Sequence, residues 1–318
     1  MTGVSGAPYG ATDAVTVAIC THRRPQGLLR TLRALWAQQG LTGRVLCVVV
    51  VDNDAAASAR PVVEAVSPPP PWTLRYAVEP TPGVAAARNR CLAEATTELV
   101  AFIDDDEVPA SGWLSALLRC RAATAADAVF GCVVPQFEVP PPAWSGDGAL
   151  FCKPRRPTGS AVGWEAAYTA NVLLSRRLID LGGGAFDERF AASGGEDALL
   201  FCRAERNGAR LVWCDEAVVH ECLPAERLRL AWLLRRAFRG GQNWVRVRVD
   251  FQPRAWLPLA LRGAAGSLVA TLLIVPSLAV SRAAAVRQAF RLAGGLGKIT
   301  AWWADRAARG AMGRHYVG

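Results

Sequence analysis

Over its first hundred residues the chain alternates between strand-length apolar runs and segments with helical spacing, and this constrains the fold more than any other feature. The runs are AVTVAIC (Ala14–Cys20), VLCVVVVD (Val45–Asp52), TLRYAVE (Thr73–Glu79) and LVAFI (Leu99–Ile103). Between them, Pro25–Gln39 places Leu28, Leu29, Leu32, Leu35 and Trp36 on one helical face, and Ala55–Val66 and Gly83–Ala95 read as further helices. Strands linked through helices pair in parallel. VLCVVVVD is apolar on both sides, as a strand covered by helices on both faces must be. The spacing therefore predicts an α/β fold with a Rossmann-like, mostly parallel sheet, in which ligands bind at the carboxyl ends of the strands.

Beyond Ile103 the pattern is mixed. Gly112–Ala126 reads as a helix, AVFGCVV (Ala128–Val134) as a strand and Pro135–Gly163, rich in Pro and Gly, as a long functional loop. Ala170–Leu181 and Glu196–Asn207, the latter closed by Gly208, read as helices, with ARLVWC (Ala209–Cys214) as a further strand. No internal repeat is present in the sequence. Charge divides the chain: Met1–Cys222 carries 20 basic and 24 acidic residues, Leu223–Gly318 carries 16 basic and 3 acidic. The expected organisation is a flexible leader over 1–13, a body over 14–222 and a basic, helical tail over 223–318. Nine cysteines, scattered and without a CxxC pair, suit small buried hydrophobes in a reducing compartment rather than a zinc site. The leader lacks a basic n-region and an apolar h-region, so a cytosolic body is expected.

Three strand ends carry polar residues: Thr21-His22-Arg23, Asp52-Asn53-Asp54 and the acidic run Asp104–Glu107. In a parallel sheet these ends share one edge and converge on one crevice. Four consecutive acids behind LVAFI repel one another and gain nothing from a core, so they need water or a cation. A solvated loop or a helix N-terminus would meet the first need. A hard divalent cation such as Mg2+ or Mn2+ would meet the second, using one or two carboxylates and completing its shell with phosphate oxygens and water. No P-loop sequence is present to suggest a nucleoside triphosphatase.

Taken in order, VTVAICTHRRP, VVVVDND, PGVAAARN, FIDDDEVP, GAFDERF and GGEDALLFCR resemble the family 2 glycosyltransferases, inverting enzymes with an A-type nucleotide-sugar fold. The resemblance covers Ala14 to Cys222. It implies nucleotide contacts at Thr21 and at Asp52-Asn53, where Asn53 departs from the family's more frequent Asp. It sets Arg88 near the nucleotide diphosphate, against the alternative of a surface-helix arginine. It makes Asp104 and Asp106 the ends of the metal-binding Asp-x-Asp motif, with Asp106 the direct ligand of Mg2+ or Mn2+ and Asp105 against ribose or the donor sugar. Glu196-Asp197, opening a helix after Gly194-Gly195, matches the catalytic base, with Asp197 first and Glu196 second. His220 is either structural or, as in some relatives, a metal-binding or diphosphate-facing histidine. Asp187 and Glu188 in FDERF are expected to organise their loop.

The implied reaction moves a sugar from a nucleotide diphosphate sugar to a hydroxyl acceptor, a lipid-linked or cell-envelope glycan. Two other readings remain at this stage. A sugar nucleotidyltransferase also uses a parallel sheet and acidic metal ligands, but THRRPQG is a poor match to its glycine-rich phosphate loop. The other is a catalytically silent nucleotide-sugar-binding scaffold. In the tail, Leu228–Arg248 mixes arginines with Trp and Leu at helical spacing through Phe238, with a break expected at Gly240-Gly241. Ala264–Val280 is an apolar stretch of 17 residues flanked by Arg262 and Arg282, at the lower edge for a membrane span and without a charge bias to orient it. Arginine and tryptophan beside apolar helices fit an anionic membrane surface at the cytoplasmic face. Aliphatic rather than polar interleaving excludes nucleic acid as the partner.

Overall fold

The computed structural model describes residues 14–190 and 194–315, with side chains up to Trp302; the expected leader lies outside the described residues. Two compact units form, one from residues 14–134, 153–190 and 199–221, the other from 135–152, 194–198 and 222–315.

The first unit is built on β1 (Ala14–Thr21), β2 (Val45–Asp52), β3 (Trp72–Val78) and β4 (Leu99–Ile103), which pair in parallel as β3-β2-β1-β4. The register sets Thr21 beside Asp52, and Asp52 beside Val78, so the polar strand ends line up along one edge. Four more strands, β5 (Glu107–Pro109), β6 (Ala128–Phe137), β7 (Asn171–Ser175) and β8 (Leu211–Leu223), extend this to an eight-stranded sheet among the described residues, in the order β3-β2-β1-β4-β7-β6-β8-β5. The β4/β7, β6/β7 and β5/β8 pairs are antiparallel. Alternate residues of each strand enter opposite cores: Val15, Val17 and Ile19 pack with Leu28 and Leu32 on one face, Ala18, Val49 and Val51 with Ala85 and Cys91 on the other. The expected α/β fold, a mostly parallel sheet flanked by helices, is the one that forms.

The helices are α1 (Pro25–Trp36), α2 (Arg60–Glu64), α3 (Val84–Glu94), α4 (Trp113–Thr124), α5 (Arg176–Leu181) and α6 (Glu196–Arg206). Pro25 starts α1, where a missing N–H costs nothing. Ala170–Leu181 is not one helix: NVLLS is the fully buried strand β7, and the Ser175 hydroxyl caps α5 by accepting from the Leu178 N–H at 3.2 Å. Helix α2 is shorter than the periodicity of Ala55–Val66 suggests, because the Asp52 carboxylate captures the amides of Asp54 and Ala59 and holds the intervening residues in a turn. A buried amide secures the sheet next to the acidic run. Asn171, fully buried and in register with Ile103, accepts from Trp113 Nε1 at 2.7 Å and donates to the carbonyls of Cys132 and Ala217.

In the second unit α7 (Leu230–Phe251), α8 (Trp256–Leu278) and α9 (Arg282–His315) pack together. Gly240-Gly241 does not break α7. A Cβ on Gly241 would lie 2.0 Å from the Gly294 carbonyl oxygen, so the glycine is there to let two helix backbones touch. The same holds for Gly263 against Gly295, and for Gly297 against the Phe238 carbonyl. Such small-residue crossings let helix backbones approach closely. Helix α8 buries Ala260, Gly263, Ser267 and Ala270 and exposes Leu257, Leu261, Leu268, Leu272 and Val275, among other large apolar residues. Pro253–Leu278 is a helical stretch of 26 residues, long and apolar enough to cross a membrane, and its most apolar 18 residues have a mean hydropathy of 1.7. It starts eleven residues before the apolar stretch read from sequence, because Arg262 stays in the helix instead of bounding it.

Candidate active site

The strand edge of the first unit gathers the donor-side candidates. Thr21, at the end of β1 and 2% exposed, donates its hydroxyl to Asp105 Oδ2 at 2.8 Å. Asp105, 5% exposed, also accepts from Arg24 Nη1 at 3.2 Å, and the same nitrogen donates to Asp106 Oδ2 at 2.9 Å. Burial pushes the Asp105 carboxyl up to about 6, and the bond from Thr21 and the charge of Arg24 oppose the rise. The backbone of the acidic turn is gripped as well. Thr31 Oγ1 donates to the Glu107 carbonyl at 2.7 Å, and a Cβ on Gly27 would lie 2.5 Å from the Asp105 carbonyl oxygen. Helix α1 thus carries Arg24 at its entrance and also fixes the loop that Arg24 neutralises.

Glu107 itself points inward. It is 1% exposed, accepts from the Asp104 amide at 3.1 Å, and burial with the nearby Asp104 charge drives its carboxyl well above the usual range. It closes the acidic turn, leaving Asp104 and Asp106 with the less buried carboxylates. Strand β8 brings His220 alongside Val108, next to this turn. His220 does not complete a cluster with the carboxylates: among the described residues no three His, Cys, Asp or Glu side chains gather as a metal site. Two carboxylates nonetheless fit a hard cation that takes its remaining ligands from a diphosphate and water, and Arg24 spanning Asp105 and Asp106 marks where positive charge is stabilised here.

Asp52 is completely buried, and its carboxylate accepts from the Asp54 and Ala59 amides and from Tyr76 Oη at 2.9 Å. The residue that ties this strand end to its neighbours is Asn53. Its Nδ2 donates to the carbonyls of Glu79 and Thr81, and its Oδ1 accepts from the Gly83 amide, all within 2.9 Å. A carboxylate could not make the two donations, which accounts for Asn at a position where Asp is more frequent. Arg88 on α3 is only 8% exposed, with its guanidinium 5.7 Å over the Phe186 ring, and so is not a surface arginine. Asp187 and Glu188 do organise their loop: Asp187 accepts from Arg189, and Glu188 from Asn89 Nδ2 at 3.2 Å.

In the second unit, Gly194 and Gly195, with φ of +73° and +102°, lead into α6. The Glu196 side chain is 3% exposed, whereas Asp197 is only partly buried and accepts from the Ala198 amide at 2.7 Å. Of the pair, Asp197 is the less buried. Sequence reasoning passed over Arg24, Gly27 and Thr31. The available signal was a cation three residues past the end of β1, in THRRP, beside a neighbouring strand end that is acidic.

The family profile described as glycosyl transferase family 2 matches residues 16–174, half of the chain. The succinoglycan biosynthesis protein ExoM of Rhizobium meliloti (strain 1021) is 36% identical over 270 residues, 83% of this chain and 86% of that protein. The chain is a family 2 glycosyltransferase. The family 2 enzyme is also 31% identical over 281 residues to a pre-mycofactocin glycosyltransferase of Mycobacterium tuberculosis, covering 86% of this chain and 55% of that one. Among solved structures, a mannosyltransferase from Pyrobaculum calidifontis in complex with GDP-Man and Mn2+ superposes with a TM-score of 0.60 at 21% identity, over 94% of this chain and 91% of that one. GalNAc-T7 with UDP, GalNAc and Mn2+ gives 0.57 at 12% identity, over 80% and 51%. At these identities the two structures speak for the fold alone. Family membership decides for a transferase over a sugar nucleotidyltransferase or a silent scaffold.

Proposed function

We propose that this enzyme transfers a sugar, with inversion, from a nucleotide diphosphate sugar to a hydroxyl of a lipid-linked or cell-envelope glycan at the cytoplasmic face of the membrane, using Mg2+ or Mn2+. The observation that carries the proposal is the turn Asp104–Asp106 at the end of β4, held by Thr21 and Thr31 and bridged by the Arg24 guanidinium. A bound cation would neutralise the diphosphate and stabilise the charge of the departing nucleotide. Asp104 and Asp106 would hold it, and Thr21, Asn53 and Asp105 would border the nucleoside. Arg24 and Arg88 supply further positive charge toward the phosphates. Asp197 would take the acceptor proton as the hydroxyl attacks the anomeric carbon on the face opposite the diphosphate, with Glu196 as the second candidate for this role.

Membrane association rests on α8, whose large apolar side chains face outward and whose small ones face α9. A relative named for succinoglycan biosynthesis fits a glycan acceptor. The deciding experiment is calorimetry of UDP, GDP, dTDP and their sugars with Mn2+ or Mg2+ and with EDTA, on wild type and Asp106→Ala. Metal-dependent binding of one nucleotide, lost in the variant, supports the reading and names the donor class. Equal binding in EDTA and in the variant would refute the metal-dependent mechanism.

A further inference from the structure

The helices of the second unit enclose a groove of about 880 Å³ with a floor of glycines, among them Gly240, Gly263, Gly266 and Gly294. Val269 and Phe290 form its apolar wall. Around it stand Arg236 from α7, Arg262 from α8, and Arg291 and Lys298 from α9, and no acidic residue belongs to the lining among the described residues. Trp244 organises the basic side: the Arg248 guanidinium lies 4.1 Å, Lys298 Nζ 4.3 Å and the Arg262 guanidinium 6.0 Å from its ring centroid. Cations gathered on three helices around a lining that includes no described acidic residue raise the local positive potential and attract an anion. An inorganic anion would satisfy the charges and leave the apolar wall wet. A ligand with a phosphate at one end and hydrocarbon at the other satisfies both.

We infer that this groove is a binding site for one anionic phospholipid of the membrane leaflet. The phosphate lies among Arg236, Arg262, Arg291 and Lys298. The acyl chains leave past Val269 along the exposed Leu268, Leu272 and Val275 surface of α8. A flat basic face would attract a leaflet without selecting a molecule; a groove with a glycine floor admits a single headgroup. The inference rests on the membrane reading of α8, and the two can fail separately.

The test uses the full chain in detergent. Flotation is measured with vesicles of phosphatidylcholine alone and with added phosphatidylglycerol, and lipid retained after detergent exchange is measured by native mass spectrometry. Wild type should float with both vesicles, gain about tenfold in affinity from phosphatidylglycerol, and retain one such lipid per chain. Arg262→Gln with Arg291→Gln should keep the neutral binding and lose most of the gain and the retained lipid. Arg229→Gln with Arg254→Gln, outside the groove, should lose little. Equal loss in both double variants would reduce the effect to net charge and overturn the site, as would retention of the gain in the groove variant. Preferential retention of a polyprenyl phosphate over phosphatidylglycerol would also overturn the phospholipid assignment. If wild type fails to float with neutral vesicles yet retains phosphatidylglycerol, the membrane reading of α8 fails and the groove stands. If the groove variant misfolds, as judged by loss of a monodisperse peak, single substitutions at Arg236 or Lys298 read the same loss of retained lipid.

Discussion

Replacing Arg24 with glutamine should tighten the binding of Mn2+ when no nucleotide is present. In the free enzyme one guanidinium nitrogen contacts both Asp105 and Asp106, at 3.2 and 2.9 Å, so a metal approaching Asp106 must displace a cation already in place. The side chain of Arg24 is 49% exposed, which puts each contact in the regime of solvent-screened pairs, about 0.2–1 kcal/mol. Burial of Asp105 moves its pair toward the upper end, so the two together hold back the metal by about 1–2 kcal/mol, or roughly 5- to 30-fold in affinity. Calorimetric titration of Mn2+ into wild type and Arg24→Gln near neutral pH, where Asp105 is ionised, measures the difference. Titration with the nucleotide diphosphate also present should reverse the order, because the displaced arginine then has phosphate to engage. Weaker or unchanged Mn2+ binding in the nucleotide-free variant would refute the idea that Arg24 occupies the place of the metal.

Asp105 predicts a pH effect of definite sign. Its carboxyl is raised to about 6 in the fold, so the folded state holds the proton more tightly than the unfolded chain, and this contribution to stability grows as pH falls from above 6 toward the ordinary carboxylate range. The thermal midpoint of wild type relative to Asp105→Asn should rise over that window; a flat difference would exclude it. Asn171→Leu removes three buried hydrogen bonds and should cost about 3–5 kcal/mol in urea unfolding, with the Trp113 indole N–H left unpaired. Gly27→Ala should weaken donor binding while sparing overall stability more than Asn171→Leu does, since its Cβ meets the Asp105 carbonyl; unaltered donor affinity would count against the α1 grip on the acidic turn. Asp197→Asn should lower kcat by about 100-fold or more with donor KM unchanged, and a variant that instead loses donor binding would remove Asp197 from the role of base.

The first four strands were legible because each is a complete apolar run that the helices cover on both faces, a pattern few other arrangements satisfy. The acidic turn stood out for the converse reason: four consecutive carboxylates break an apolar pattern, although the fold goes on to bury Asp105 and Glu107 with hydrogen-bond partners. The β7-α5 junction was not legible as two elements, because a buried strand and a buried helix are equally apolar over five residues and the boundary is set by the Ser175 cap. Three-residue β5 carries no periodicity at all. Arg24 and Thr31 escaped because their partners lie 81 and 76 residues away, and a sequence shows such pairings only once the topology is known. The glycines of α7 and α9 point the same way. Propensity reads Gly241 as a break, whereas a backbone crossing turns it into the point of closest packing.

Helix α8 also inverts the usual scale of conservative substitution. In a water-soluble helix, trimming a large apolar side chain damages the core, and adding a methyl to a glycine is mild. Here the large side chains are outside, so Leu272→Ala leaves the packing untouched, whereas a single methyl on Gly263 would lie 2.8 Å from the Gly295 carbonyl oxygen and pry the hairpin apart. Tolerance to mutation along this helix should therefore follow side-chain volume rather than hydrophobicity. Drift among relatives at its outward positions would then record the surroundings of that apolar face, and invariance at its inward ones the distance between two backbones.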